Sequence, residues 1–104
     1  MSRLEGLEED AELFLKRAEE LAGLPKRDLQ TEMFRLKREM EARYSFEVEG
    51  FEDDYEARLS TGADDDDSED DRAEFVVDLR GGETEVNAFV VVGGEVVVNE
   101  VRRY

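Results

Sequence analysis

Cysteine and histidine are both absent from the 104 residues. The first absence excludes disulfides, thiolate chemistry and cysteine-based zinc sites. The second removes the usual general base at neutral pH and the commonest metal ligand. Lysine is scarce as well, with three residues beside 11 arginines. Apolar runs such as Ala88 to Val92 fall far short of the roughly 20 residues that a bilayer-spanning helix needs. The chain opens on Ser2, Arg3 and an acidic helical pattern instead of the apolar core of a secretory leader, so the expected location is cytoplasmic. Phosphate-binding loops, dinucleotide glycine patterns, nucleophile elbows and metal-ligand constellations are missing too. No pair of carboxylates is marked out by its spacing. The sequence therefore predicts a non-catalytic protein without cofactor or metal.

What the chain does have is acid. Thirty Asp and Glu stand against 14 Lys and Arg, for a net charge of -16. In dilute buffer this charge opposes compaction by self-repulsion, whereas in molar salt the Debye length falls to about 3 Å and the repulsion is screened. Abundant Asp and Glu, little Lys and Arg as the retained cation together resemble the proteins of haloarchaea, which accumulate salt in the cytoplasm. That resemblance implies a protein that requires high salt for stability.

One domain with a modest core is expected at this length. Leu4, Leu7, Ala11, Phe14, Ala18 and Leu21 alternate three and four residues apart, the apolar stripe of a helix over 4–21, which Leu13, Leu15 and Ala22 widen. Gly23 ends that helix, and Pro25 is expected as the first residue of a second, over 25–43, with Leu29, Met33, Leu36 and Met40 inward. Phe34 lies off that stripe. From Tyr44 the period becomes two. Tyr44, Phe46 and Val48 are expected opposite Leu59, Ala57 and Tyr55 in a β-hairpin over 44–60 that turns at 50–53.

Residues 61–72 hold seven carboxylates and no apolar periodicity, which predicts a flexible acidic loop. Clustered carboxylates suit calcium or magnesium, but the alternating ligands, turn glycine and distal Glu of a calcium loop are missing, so a solvated loop is expected. A meander follows, with strands over 73–80, 83–92 and 95–102 turning at Gly81-Gly82 and Gly93-Gly94. Pairing across these turns places Phe75, Val77, Val86, Ala88, Val90, Val97 and Val101 on one face. Val76, Phe89, Val91, Val96 and Val98 fall on the other. The predicted fold is α+β, a helical hairpin packed on a mainly antiparallel sheet of about five strands.

The second apolar face and Phe34 give the candidate interface: Phe34, Val76, Phe89, Val91, Val96 and Val98. It implies a protein partner or a homodimer, unless the chain itself folds over that face. A second candidate lies in the helices. Residues 16–43 carry eight cations against six acids, near +2, while the rest of the chain is near -18. Pairing along the helices accounts for some of these cations. The stretch from Glu20 through Leu24, Pro25 and Leu29 to Leu36, followed by a hairpin, resembles the turn, recognition helix and wing of winged-helix regulators. The resemblance implies nucleic-acid contacts from Lys26, Arg27, Gln30, Arg35 and Arg38. The acidic tip, Gly50 to Asp54, and the unbroken first helix depart from that family.

Overall fold

A five-stranded antiparallel sheet in the order β1-β2-β3-β4-β5 forms the frame, with two helices on one side of it. The computed structural model describes residues 6–40, 44–51, 54–61, 71–81 and 83–104, without the side chains of Lys26 and Phe51. Leu4, residues 41–43 and most of the acidic loop, 62–70, lie outside the described residues.

Helix α1 (Leu7–Ala22) buries Leu7, Ala11, Phe14, Ala18 and Leu21, so the apolar spacing marks the packed stripe. Glu8, Glu9 and Asp10 occupy its first turn, where the helix dipole favours negative charge. The helix ends at Gly23, whose N–H donates to the Glu20 carbonyl. Pro25 precedes α2 (Lys26–Glu39) instead of opening it: its backbone is extended, and its carbonyl accepts the Leu29 N–H at 2.8 Å. The second helix stops earlier than its sequence pattern, because Met40 is already extended at ψ 122. Its side chain remains buried beside Leu29, Met33 and Leu36.

The strands are β1 (Tyr44–Phe51), β2 (Asp54–Thr61), β3 (Arg72–Asp78), β4 (Glu85–Val92) and β5 (Glu95–Arg103). Helix α1 lies over β3, β4 and β5, while α2 lies over β1 and β2. Between the two layers sit Tyr55, Ala57, Leu59, Ala73, Phe75, Val77, Val86, Ala88 and Val90. Phe14 stacks on Phe75 with ring centroids 5.2 Å apart, and Tyr44 tilts against the same ring at 5.5 Å. The Tyr44 hydroxyl donates to Asp10 Oδ2 at 2.9 Å, tying β1 to the start of α1. Burial and the neighbouring Asp10 carboxylate both push this phenol well above its ordinary pKa, so it remains a donor.

The first hairpin differs in register from its expectation, and the β3–β4 pair does not. The β1–β2 ladder continues through Gly50↔Tyr55 and Phe51↔Asp54, which places Phe46 opposite Leu59 and Val48 opposite Ala57. The pairing has moved by two residues, so every side chain keeps its face. Gly50 permits this: its φ is 112°, and a Cβ there would lie 2.3 Å from the Asp54 carbonyl oxygen. Between β3 and β4 the expected ladder holds, with Phe75↔Ala88 and Val77↔Val86, and its last described pair is Asp78↔Glu85; Gly82 of the expected turn lies outside the described residues. There the Leu79 N–H turns away to the Tyr55 carbonyl, and Leu79 packs against the core.

Candidate interaction surfaces

Side chains alternate across a strand, so the residues between the core positions form a second, helix-free face. Three cross-strand rows can be followed along it. Glu49, Glu56, Asp78, Glu85 and Arg103 form the first. Glu47, Arg58, Val76, Asn87 and Val101 form the next, followed by Ser45, Ser60, Glu74, Phe89 and Asn99.

Four adjacent acids in one row repel, and arginines supply the compensation. Glu56 is the buried acid of the row, held by Arg58 on one side and Arg80 on the other, at 2.5 and 2.6 Å. Arg80 also pairs with Asp78 at 3.2 Å, and Arg103 with Glu85 at 3.3 Å. The hydrogen bond from Arg80 holds the Asp78 carboxyl below its ordinary pKa, against a smaller opposing effect of burial. Arginine suits this role, since one planar guanidinium reaches two carboxylates.

The apolar half of the face is arranged differently from the sequence expectation. Pairing starts as expected at Val92↔Glu95 and Val91↔Val96, but a β-bulge follows and the next pair is Val90↔Val98. Val97 is left without a partner across the ladder, and every residue of β5 beyond it changes face. Val98, expected on the helix-free face, instead packs against the core opposite Val90. Val101, expected on the helix side, lies across from Asn87 and is 51% exposed. Val97, also expected inward, is exposed. Val91 is buried at 5%, which removes it from the available surface. Of the expected interface, Val96 is exposed as anticipated, and Val76 and Phe89 are partly exposed. The Arg72 guanidinium sits 5.7 Å from the Phe89 ring, a cation–π distance.

Strand β5 also forms one edge of the sheet. Its inner side is fixed to α1 by a hydrogen bond from Arg102 Nη1 to the Leu15 carbonyl. The opposite edge, β1, exposes Glu47 and Glu49, the kind of charge that discourages edge pairing.

Phe34 belongs to a separate surface. It is 48% exposed on α2 and meets Phe46 of β1 edge to face at 6.4 Å, with Lys37 Nζ 5.6 Å from its ring. These two rings, together with Arg27, Gln30, Arg35 and Arg38, line a groove of about 480 Å³. Four of the five residues implied by the winged-helix resemblance thus converge there. The fifth, Lys26, is the first residue of α2, and its side chain is outside the described set. Arg35 is paired with Glu32 at 3.1 Å, whereas Arg27 and Arg38 have no acidic partner among the described residues. The hairpin that follows α2 is built into the sheet, β2 pairing with β3 from Glu56 to Ser60.

Bulge and groove escaped the sequence reading for different reasons. Nothing in Val96-Val97-Val98 distinguishes the residue that will be skipped, because three identical side chains give no preference for register. The groove joins α2 to Phe46, whose alternation with its neighbours indicates a strand and nothing about which helix lies beside it.

No group of three or more acids arranged to hold a metal occurs among the described residues, and no described helix is long and apolar enough to cross a membrane. Comparison with known proteins returned no matching family model, no matching curated protein and no matching solved structure.

Proposed function

We propose that this chain is a non-catalytic interaction protein of a salt-accumulating cytoplasm, working as an association of two copies through the β5 side of its sheet. One observation carries the reading: β5 presents Val96, Val97 and Val101 at 55, 42 and 51% exposure, in a molecule whose other surface is dominated by charge. Scattered single hydrophobes need no explanation, but three on one edge strand, beside partly exposed Val76 and Phe89, form a patch. Charge supports the same reading. A chain of -16 resists self-association unless the contact is locally neutral or salt screens the repulsion, and β5 balances Glu95 and Glu100 with Arg102 and Arg103. Light scattering in molar KCl tests it: a dimer is expected, and a monomer at every concentration would end the reading.

The groove of α2 favours a second reading, in which the chain binds nucleic acid. Arg27 and Arg38 supply phosphate contacts and the Phe34 and Phe46 rings a stacking surface. Labelled duplex and single-stranded pools titrated at high and low salt test it. Binding that is lost in Arg27→Glu and Arg38→Glu supports this reading. Absence of binding, or binding indifferent to both substitutions, excludes it.

A further inference from the structure

Among the described residues, the groove between α2 and β1 is lined by Arg27, Arg35 and Arg38 and by no carboxylate, in a chain of -16. A site of that sign on such a molecule suits an anion. Arg27, Thr31, Phe34 and Arg38 follow one another at three- and four-residue spacing, on the stripe of α2 turned away from the buried Leu29, Met33 and Leu36. The helix rise sets Arg27 and Arg38 about 16 Å apart along the axis, with Phe34 between them. Phe46 adds a second ring, its centroid 6.4 Å from that of Phe34. Resting on the nucleic-acid reading above, we propose that this groove takes single-stranded nucleic acid and not duplex. An unpaired base stacks on Phe34 beside Phe46, and the phosphates to either side of it reach Arg27 and Arg38.

The rings carry the distinction between one strand and two. Stacking needs an open base face, and in a duplex the neighbouring pairs cover it, so a duplex would use the arginines and leave the exposed Phe34 without a partner. An acidic peptide would do the same. A duplex reader of the winged-helix kind also needs a free hairpin as its wing, whereas here β2 is paired into the sheet from Glu56 to Ser60. The edge strand beside the groove, β1, exposes Glu47 and Glu49, which repel a second phosphate backbone laid across it. The reach is short as well: about 16 Å holds at most about five nucleotides of one strand at a stacked spacing of about 3.4 Å. Salt favours the same occupant, since phosphate contacts weaken as ionic strength rises while stacking draws on no counterion release. Helix α2 lies over β1 and β2, and β5 is the far edge of the sheet, so a strand in the groove leaves the β5 side open.

Fluorescence anisotropy of a labelled oligothymidylate dodecamer, alone and annealed to its complement, tests the proposal in KCl from about 0.2 M to molar. Thymine stacks weakly on itself, so its bases are free to meet the rings. The single strand is expected to bind at least about tenfold more tightly than the duplex. Phe34→Ala is expected to weaken single-strand binding about tenfold and to leave its salt dependence unchanged. Arg27→Gln and Arg38→Gln are each expected to flatten the dependence of log K on log salt by about 0.7. All three side chains are exposed, so the variants retain the fold. A duplex bound as tightly as the single strand, or a strand indifferent to Phe34→Ala, overturns the single-strand inference and leaves nucleic-acid binding standing. Displacement of the labelled strand by polyglutamate as readily as by unlabelled dodecamer overturns it in favour of an acidic peptide. Absence of binding to either form at every salt concentration overturns both.

Discussion

Individual residues decide how tightly the sheet closes. Gly50 has no side chain because the Asp54 carbonyl and the Tyr55 Cα occupy the space a Cβ would take, at 2.3 and 2.6 Å, and its φ of 112° is one that other residues resist. Gly50→Ala is therefore expected to cost about 1–3 kcal/mol, measured by urea unfolding in molar KCl. A cost below about 0.5 kcal/mol would show that the hairpin relaxes to another register. Asp78 supplies a pH test. Its pKa is lowered on folding by Arg80, so its contribution is present above the ordinary value of 3.8 and is lost as pH falls through the lower folded value. Urea unfolding from about pH 5 to pH 2 is expected to show a shallower loss of stability in Asp78→Asn than in the wild type. Identical slopes would remove the Arg80–Asp78 pair from the account.

At the scale of elements, the helices were the most legible part of the chain. Leu7, Ala11, Phe14, Ala18 and Leu21 could be assigned to a buried stripe because a three-and-four spacing has only one helical explanation. The β3–β4 pairing was equally readable, since alternation in each strand fixes which residues face the helices, whereas the β2–β3 pairing spans the acidic loop and has no turn signal to announce it. Strand β5 was not. A run of three valines is apolar on both faces, so alternation carries no information there, and the bulge between the Val91 and Val90 pairings has no signature in side-chain type. The consequence is measurable. Val98→Ala removes core contact and is expected to cost about 1–2 kcal/mol, whereas Val97→Ala should remain within about 0.5 kcal/mol when unfolding is followed at concentrations where the chain is monomeric. The reverse order would restore the register implied by an unbroken two-residue hairpin. Of the candidate site, Phe34, Val76, Phe89 and Val96 were legible as unaccommodated apolar residues. The convergence of Arg27, Gln30, Arg35 and Arg38 on Phe46 depends on how α2 lies over β1, a tertiary relation that periodicity does not encode.

Over the whole molecule, charge is distributed unevenly enough to matter. The helix-free face resolves its acids through Arg58, Arg80 and Arg103, α2 leaves Arg27 and Arg38 without acidic partners among the described residues, and β5 is balanced along its own length. A molecule of -16 held together by a modest core should lose stability as salt is withdrawn. Thermal unfolding is accordingly expected to rise steadily from about 0.1 M to molar KCl, and a melting temperature independent of salt would argue against adaptation to a salt-rich cytoplasm. Self-association should follow the same dependence, since the neutral edge permits contact only when the rest of the surface is screened. The most direct measurement is light scattering of the wild type and Val101→Lys side by side in molar KCl. The account predicts a dimer for the first and a shift toward monomer for the second; a wild type that stays monomeric, or a Val101→Lys chain that dimerises equally well, would contradict it.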